Sequence, residues 1–149
     1  IAAGGIFDGK DIARMLKLGA SGVQMATRFV CTDECDASDN FKQAYLNAKK
    51  EDIIIIKSPV GLPGRALKNK FLEQAAKGDI KFKCSYLCLP TCNPQTSPYC
   101  IAEALTNAAL GDLDKGFVFV GSNVHRVDKI VPVKTLIDEL TRELEAAMT

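Results

Sequence analysis

Two short apolar runs end in small residues one βα unit apart, Ile1-Ala2-Ala3-Gly4-Gly5-Ile6 and Gly22-Val23-Gln24-Met25-Ala26-Thr27-Arg28-Phe29. A strand that ends in glycine leaves backbone N–H groups open to an anion, since no Cβ blocks the approach. A Gly-Gly after an apolar run is more often only a turn, so either run alone says little. Both at this separation, with Gln24 and Thr27 at the second strand end, read as a phosphate cradle. That pairing matches the phosphate site of (β/α)₈ barrels, formed by the loops after strands 7 and 8.

Other residues with chemical potential carry less. Cys84, Cys88, Cys92 and Cys100 give the spacing Cx3Cx3Cx7C, which would suit a zinc or iron–sulfur module. The Cx2C pairs of zinc sites are missing, as is ferredoxin spacing, and Pro90 interrupts any single helix that would present the thiols. Buried or exposed structural thiols are the expectation, and the metal-binding module is the alternative of a different class. Cys31 and Cys35 have no partner motif. His125, the sole histidine, is expected at the surface or behind a site rather than as a general acid.

The elements that must position the cradle follow from local pattern. Asp8 can cap a helix carrying Ile12, Ala13, Met15, Leu16 and Leu18, with Gly19 as its stop. The result is β-α-β in outline. Residues 33–40 are polar and turn-rich. Phe41, Ala44, Tyr45 and Ala48 mark a short amphipathic helix, and Ile53-Ile54-Ile55-Ile56 reads as a strand. Residues 58–67 hold two prolines and two glycines and are expected as an extended loop. This loop would either border a substrate channel or link domains, with Arg65 paired to a carboxylate. A helix over 67–77 stops at Gly78, and another spans about 98–110. Phe117-Val118-Phe119-Val120 reads as a strand running into Gly121-Ser122-Asn123-Val124-His125-Arg126-Val127. The final helix starts near Pro132, with Val133, Leu136, Ile137, Leu140 and Leu144 at helical spacing.

A chain of 149 residues can bury a sizeable core, but a complete (β/α)₈ barrel needs roughly 250. The chain also opens on Ile1 inside an apparent strand, so the C-terminal part of a longer polypeptide is expected. With 47% hydrophobic and 25% charged residues and a net charge of +1, the composition is that of an ordinary globular protein. It points to neither nucleic acid nor membrane as partner. The absence of a leader-like segment and of long apolar runs makes a cytoplasmic location, with reduced thiols, the default expectation.

Three blocks carry a family resemblance: Ala2-Ala3-Gly4-Gly5-Ile6; then Gly19-Ala20-Ser21-Gly22-Val23-Gln24-Met25-Ala26-Thr27-Arg28-Phe29; then Ser58-Pro59-Val60-Gly61-Leu62-Pro63-Gly64-Arg65-Ala66-Leu67-Lys68-Asn69-Lys70-Phe71. The chain resembles the C-terminal half of the nitronate monooxygenase family, formerly 2-nitropropane dioxygenases, which includes flavin-dependent enoyl-acyl carrier protein reductases. The resemblance implies an α/β fold, the end of an FMN-binding (β/α)₈ barrel with a smaller, largely helical inserted domain. The implied division is 1–35 for barrel strands 7 and 8, 36–116 for the insertion, and 117–149 for a return strand and C-terminal helix.

Carried over to this chain, the resemblance makes Gly4 and Gly5 the first phosphate loop. Gln24, Met25, Ala26 and Thr27 form the second, with the Thr27 hydroxyl as an added donor. Many relatives have glycine where Ala26 stands; alanine keeps the N–H. Ser122 and Asn123 fall in a loop near the flavin and substrate mouth. The family's catalytic histidine lies upstream of the seventh strand, outside these residues. The implied reaction is FMN-dependent oxidation of an alkyl nitronate, or NAD(P)H-dependent reduction of an enoyl thioester or a quinone. A different phosphate-binding barrel enzyme is the remaining alternative. Two strands without six others would leave sheet edges open, so self-association or pairing with an N-terminal part is expected.

Overall fold

The computed structural model describes residues 1–84 and 87–149. They form two compact units, one of residues 1–36, 45–50 and 121–149, the other of residues 37–44 and 51–120. In the first, β1 (Ala2–Ala3) and β2 (Val23–Gln24) are parallel neighbours, with Ala2 opposite Val23. Helix α1 (Gly9–Lys17) makes the crossover between them. Asp8 caps it, its carboxylate accepting from the Asp11 N–H at 2.9 Å, and Gly19 follows it at φ +94°. Cap and stop are those read from the sequence. The short helix α2 (Thr27–Val30) begins where β2 ends.

Helix α6 (Val133–Met148) packs along α1 and buries Leu136 and Leu140, while Ile137 stays exposed. The two helices approach so closely at Gly9 that an added Cβ would stand 2.4 Å from both Glu143 Cβ and Leu144 N. Glycine is the residue that permits the contact. The Gly9 N–H, one of the orphan donors at a helix start, is taken by Glu143 Oε2 at 2.8 Å. Phe7, Ala13, Cys31, Thr32, Tyr45, Val124 and Val127 are also buried in this unit.

Helix α3 (Asp39–Leu46) carries the chain between the units. In the second unit, β3 (Ile53–Lys57) pairs antiparallel with β4 (Pro63–Leu67), Ile53 opposite Leu67 and Lys57 opposite Pro63. Residues 63–67 are therefore strand, where loop was expected. Proline and glycine exclude helix, but Pro63 sits at the first position of the strand, where a missing N–H is tolerated. Gly64 yields its side-chain space to Phe119, whose Cε1 would lie 2.3 Å from an added Cβ.

Residues 117–120, expected as a strand, are extended along β4 with a single bridge, Ala66 to Phe119. Leu67 N–H donates to the Val118 carbonyl and Val120 N–H to that of Arg65. Helices α4 (Lys70–Lys77) and α5 (Ile101–Ala109) complete this unit. Asn69 caps α4, and Gly78 ends it in the left-handed region. This unit is mixed, with β3, β4 and the extended 117–120 segment beside α4 and α5. Its core is Phe71, Leu72, Tyr99, Ile101, Ala104 and Phe117 around Ala66. Among the described residues, no helix is long and apolar enough to cross a membrane.

A candidate phosphate site where three segments meet

The pairing of β1 with β2 brings the two small-residue runs side by side, as their spacing implied. Beyond β1, Gly4 and Gly5 take φ +85° and +71°, consecutive left-handed residues that non-glycine side chains rarely adopt. Around Gly4 nothing lies within 4 Å of where a Cβ would be. Backbone of this kind turns N–H groups toward one concavity and suits an anion. Beyond β2, Ala26 precedes α2 and gives it no side-chain cap, leaving the first amides of that turn unclaimed by any side chain. Gln24 and Ala26 are exposed, and Met25 and Thr27 are half-buried.

The segment at 121–123 joins them. Asn123 Nδ2 donates to the Gly5 carbonyl at 2.8 Å, across 118 positions of sequence. Ser122 Oγ lies 3.8 Å from the Cβ position of Gly5. Gly121 faces Thr27, whose Oγ1 would stand only 2.4 Å from a Cβ added there. Sequence reasoning placed Ser122 and Asn123 near the site but missed Gly121. It also missed that the Asn123 amide is committed to the first loop.

Two guanidinium groups lie over the Phe7 ring, Arg126 at 4.2 Å and Arg28 at 5.1 Å from its centroid. Arg28 pairs with Glu139 at 2.8 Å and Arg126 with Asp8 at 2.7 Å. The Phe7 N–H donates to Asp11 Oδ2. Burial pushes the Asp8 carboxyl up, but the Asp11 N–H and the Arg126 guanidinium outweigh it and hold the group below the usual carboxylate range. One residue from each of the three segments, Phe7, Arg28 and Arg126, thus enters one stack. His125 Nδ1 is buried and has no hydrogen-bond partner among the described residues.

The same unit carries an apolar groove of about 570 Å³ lined by Ile1, Val23, Met25, Phe29, Ile137 and Leu144. The cysteines divide between the units, Cys31 and Cys35 in this one and Cys84, Cys88, Cys92 and Cys100 in the other. None of the six is in a disulfide among the described residues, Cys92 Sγ lies 3.3 Å from Ser97 Oγ, and Cys88 is exposed. Among the described residues, no three His, Cys, Asp or Glu side chains gather in a way that could hold a metal ion.

A parallel βαβ crossover has positive-φ glycines after one strand and a helical turn without a side-chain cap after the next, the arrangement of an α/β unit. The chain belongs to the nitronate monooxygenase family, whose model matches residues 1–143. It is 31% identical over 150 residues to a probable nitronate monooxygenase of Staphylococcus aureus, covering 99% of this chain and 39% of the relative. The chain thus spans about two-fifths of the length of the curated relatives it matches. Among solved structures, it resembles FabK from Thermotoga maritima, with a TM-score of 0.79 and 31% identity over 98% of this chain and 44% of that one. It also resembles the nitroalkane oxidase from Streptomyces ansochromogenes, with a TM-score of 0.73 and 27% identity over 98% of this chain and 39% of the other.

Proposed function

We propose that this chain supplies the FMN phosphate site, and the end of the (β/α)₈ barrel around it, in an oxidoreductase of the nitronate monooxygenase family. The observation that carries the reading is the Gly4–Gly5 pair at positive φ beside the β2–α2 junction. The residues present fit the group: nothing lies within 4 Å of the Cβ position of Gly4, and the residues we assign to the phosphate offer backbone amides and the Thr27 hydroxyl rather than carboxylates.

Gly4, Gly5, Met25, Ala26 and Thr27 would hold the phosphate through N–H groups, with the Thr27 hydroxyl as a further donor. Gln24, exposed at the end of β2, flanks them. Bound FMN would supply the electron chemistry, and the protein binding, orientation and access. The substrate is an alkyl nitronate, or else an enoyl thioester or quinone with NAD(P)H as the electron donor. Of the two mouth candidates, Ser122 and Asn123, we assign the substrate side to Ser122, whose Oγ lies 3.8 Å from the Cβ position of Gly5. The family's catalytic histidine belongs to a part outside these residues. The apolar groove along β2 and α6 is where barrel elements of the remaining length, or a second copy, would pair with this unit.

A spectral titration with FMN and riboflavin, followed by desalting, tests the cradle, because the two flavins differ by the phosphate alone. FMN should be retained in preference to riboflavin. Gly4→Ala, which forces a Cβ onto left-handed backbone, should reduce that preference about tenfold. Equal retention of both flavins, or of neither, would overturn the reading.

A further inference from the structure

We infer that Gly121 and Asn123 are positioning residues of the phosphate cradle, acting on its two loops separately and touching no ligand themselves. The inference rests on the phosphate-site reading above and adds to it the part played by the 121–123 segment. Asn123 Nδ2 holds the Gly5 carbonyl at 2.8 Å. A trans peptide is planar, so fixing that oxygen also fixes the direction of the Ile6 N–H and with it the outgoing half of the glycine turn. Two consecutive glycines have the widest backbone freedom of any dipeptide, and the cradle works only in one of their conformations. Asn123 is the sole side chain with a hydrogen bond to either of them among the described residues.

Gly121 acts on the second loop by omission. An added Cβ would stand 2.4 Å from Thr27 Oγ1 but 3.6 Å from Thr27 Cβ, so the conflict is with the hydroxyl and not with the rest of the side chain. An alanine at 121 would force the Thr27 hydroxyl into another rotamer, away from the place it now holds at the start of α2. The glycine keeps that rotamer available.

The two contacts make different demands on mutants, which allows a sharp test by FMN and riboflavin titration read from flavin absorbance, with unfolding midpoints measured in parallel. Thr27→Ala should weaken FMN binding about tenfold and leave riboflavin binding unchanged, as expected for one charge-assisted hydrogen bond. Gly121→Ala should weaken FMN at least as much in the wild-type background. In the Thr27→Ala background it should do nothing further, because the atom it displaces is gone. Asn123→Ala should weaken FMN selectively, and Asn123→Asp, which sets a carboxylate against the Gly5 carbonyl, should do so more severely.

Selective loss of FMN with Gly121 and Thr27 non-additive supports the inference. Multiplicative effects of Gly121→Ala and Thr27→Ala, or equal loss of both flavins in the Asn123 variants, overturns it while the phosphate site stands. If Gly121→Ala fails to fold, Asn123→Ala and the double variant decide. A wild-type chain that does not prefer FMN over riboflavin overturns the phosphate reading itself, and the positioning role with it.

Discussion

The two strand pairs of this chain are held by different means. β1 and β2 contribute two residues each to a parallel pair, and the backbone around them is fixed by side chains from far along the chain. Asn123 holds the Gly5 carbonyl, Glu143 the Gly9 N–H, and Glu34 the Val133 N–H. β3 and β4 make a five-residue antiparallel ladder over a core of interlocked rings. Phe117 lies 4.9 Å from Phe119, 5.6 Å from Tyr99 and 6.1 Å from Phe71, centroid to centroid. The proposed phosphate site would need its strand-end amides open to an anion rather than spent on a ladder, which is the use we assign to polar links from elsewhere. The other unit has no such restraint and is built by burial.

The largest effect should come from the aromatic core. Phe117 is fully buried, and Phe117→Ala removes the ring shared by three aromatic contacts. A cost of about 3–5 kcal/mol is expected. Hydrogen exchange should show the loss in β3, β4, α4 and α5, with the α1 amides much less affected. Collapse of protection in α1 to the same degree would break the comparison, since it would make the ring cluster the core of both units.

Gly9→Ala probes the helix pair of the first unit. The new methyl meets backbone as well as side chain on α6, so the helices must move apart. Overpacking of this kind costs about 1–3 kcal/mol. Chemical denaturation should show that loss, with α1 and α6 exchanging fastest. A stabilised Gly9→Ala variant would show that the α1–α6 approach is looser than the structure has it.

What could be read from the sequence divides along the same line. Local signals were legible: Asp8 as cap, Gly19 and Gly78 as stops, the isoleucine run as a strand, and the pairing of the two small-residue runs through one crossover. The strand at 63–67 was hidden, because proline and glycine argue against helix without arguing for any partner. Its regularity comes from β3 on one side and 117–120 on the other, which no local pattern shows. Gly121 was equally opaque. A glycine after an apolar run looks like a turn, and only Thr27, 94 positions earlier, gives it a reason. The Phe7 stack required three residues from three segments, and nothing in the spacing of Arg28 and Arg126 marks a shared ring.

The smallest effect should sharpen the contrast by charge alone. Asp8 caps α1 and pairs with Arg126, and, against burial, the Asp11 N–H and the guanidinium hold its carboxyl below the ordinary value of 3.8. A depressed folded-state pKa means that the unfolded chain takes up the proton first. The stabilisation is therefore complete above the unfolded value and fades as pH falls from about 3.8 through the lower folded one. Asp8→Asn keeps a capping oxygen and removes the charge, so at neutral pH it should cost about 1 kcal/mol or less. That gap should close as the pH falls below about 3.8 and the wild-type carboxyl also loses its charge. Amide exchange in α1 should report the difference, while α4, capped by the neutral Asn69, should not distinguish the two proteins at any pH. A gap that persists unchanged at low pH would mean that Asp8 acts through its shape rather than its charge. The polar links of the first unit would then be geometric devices, insensitive to the ionic conditions that should otherwise tune them.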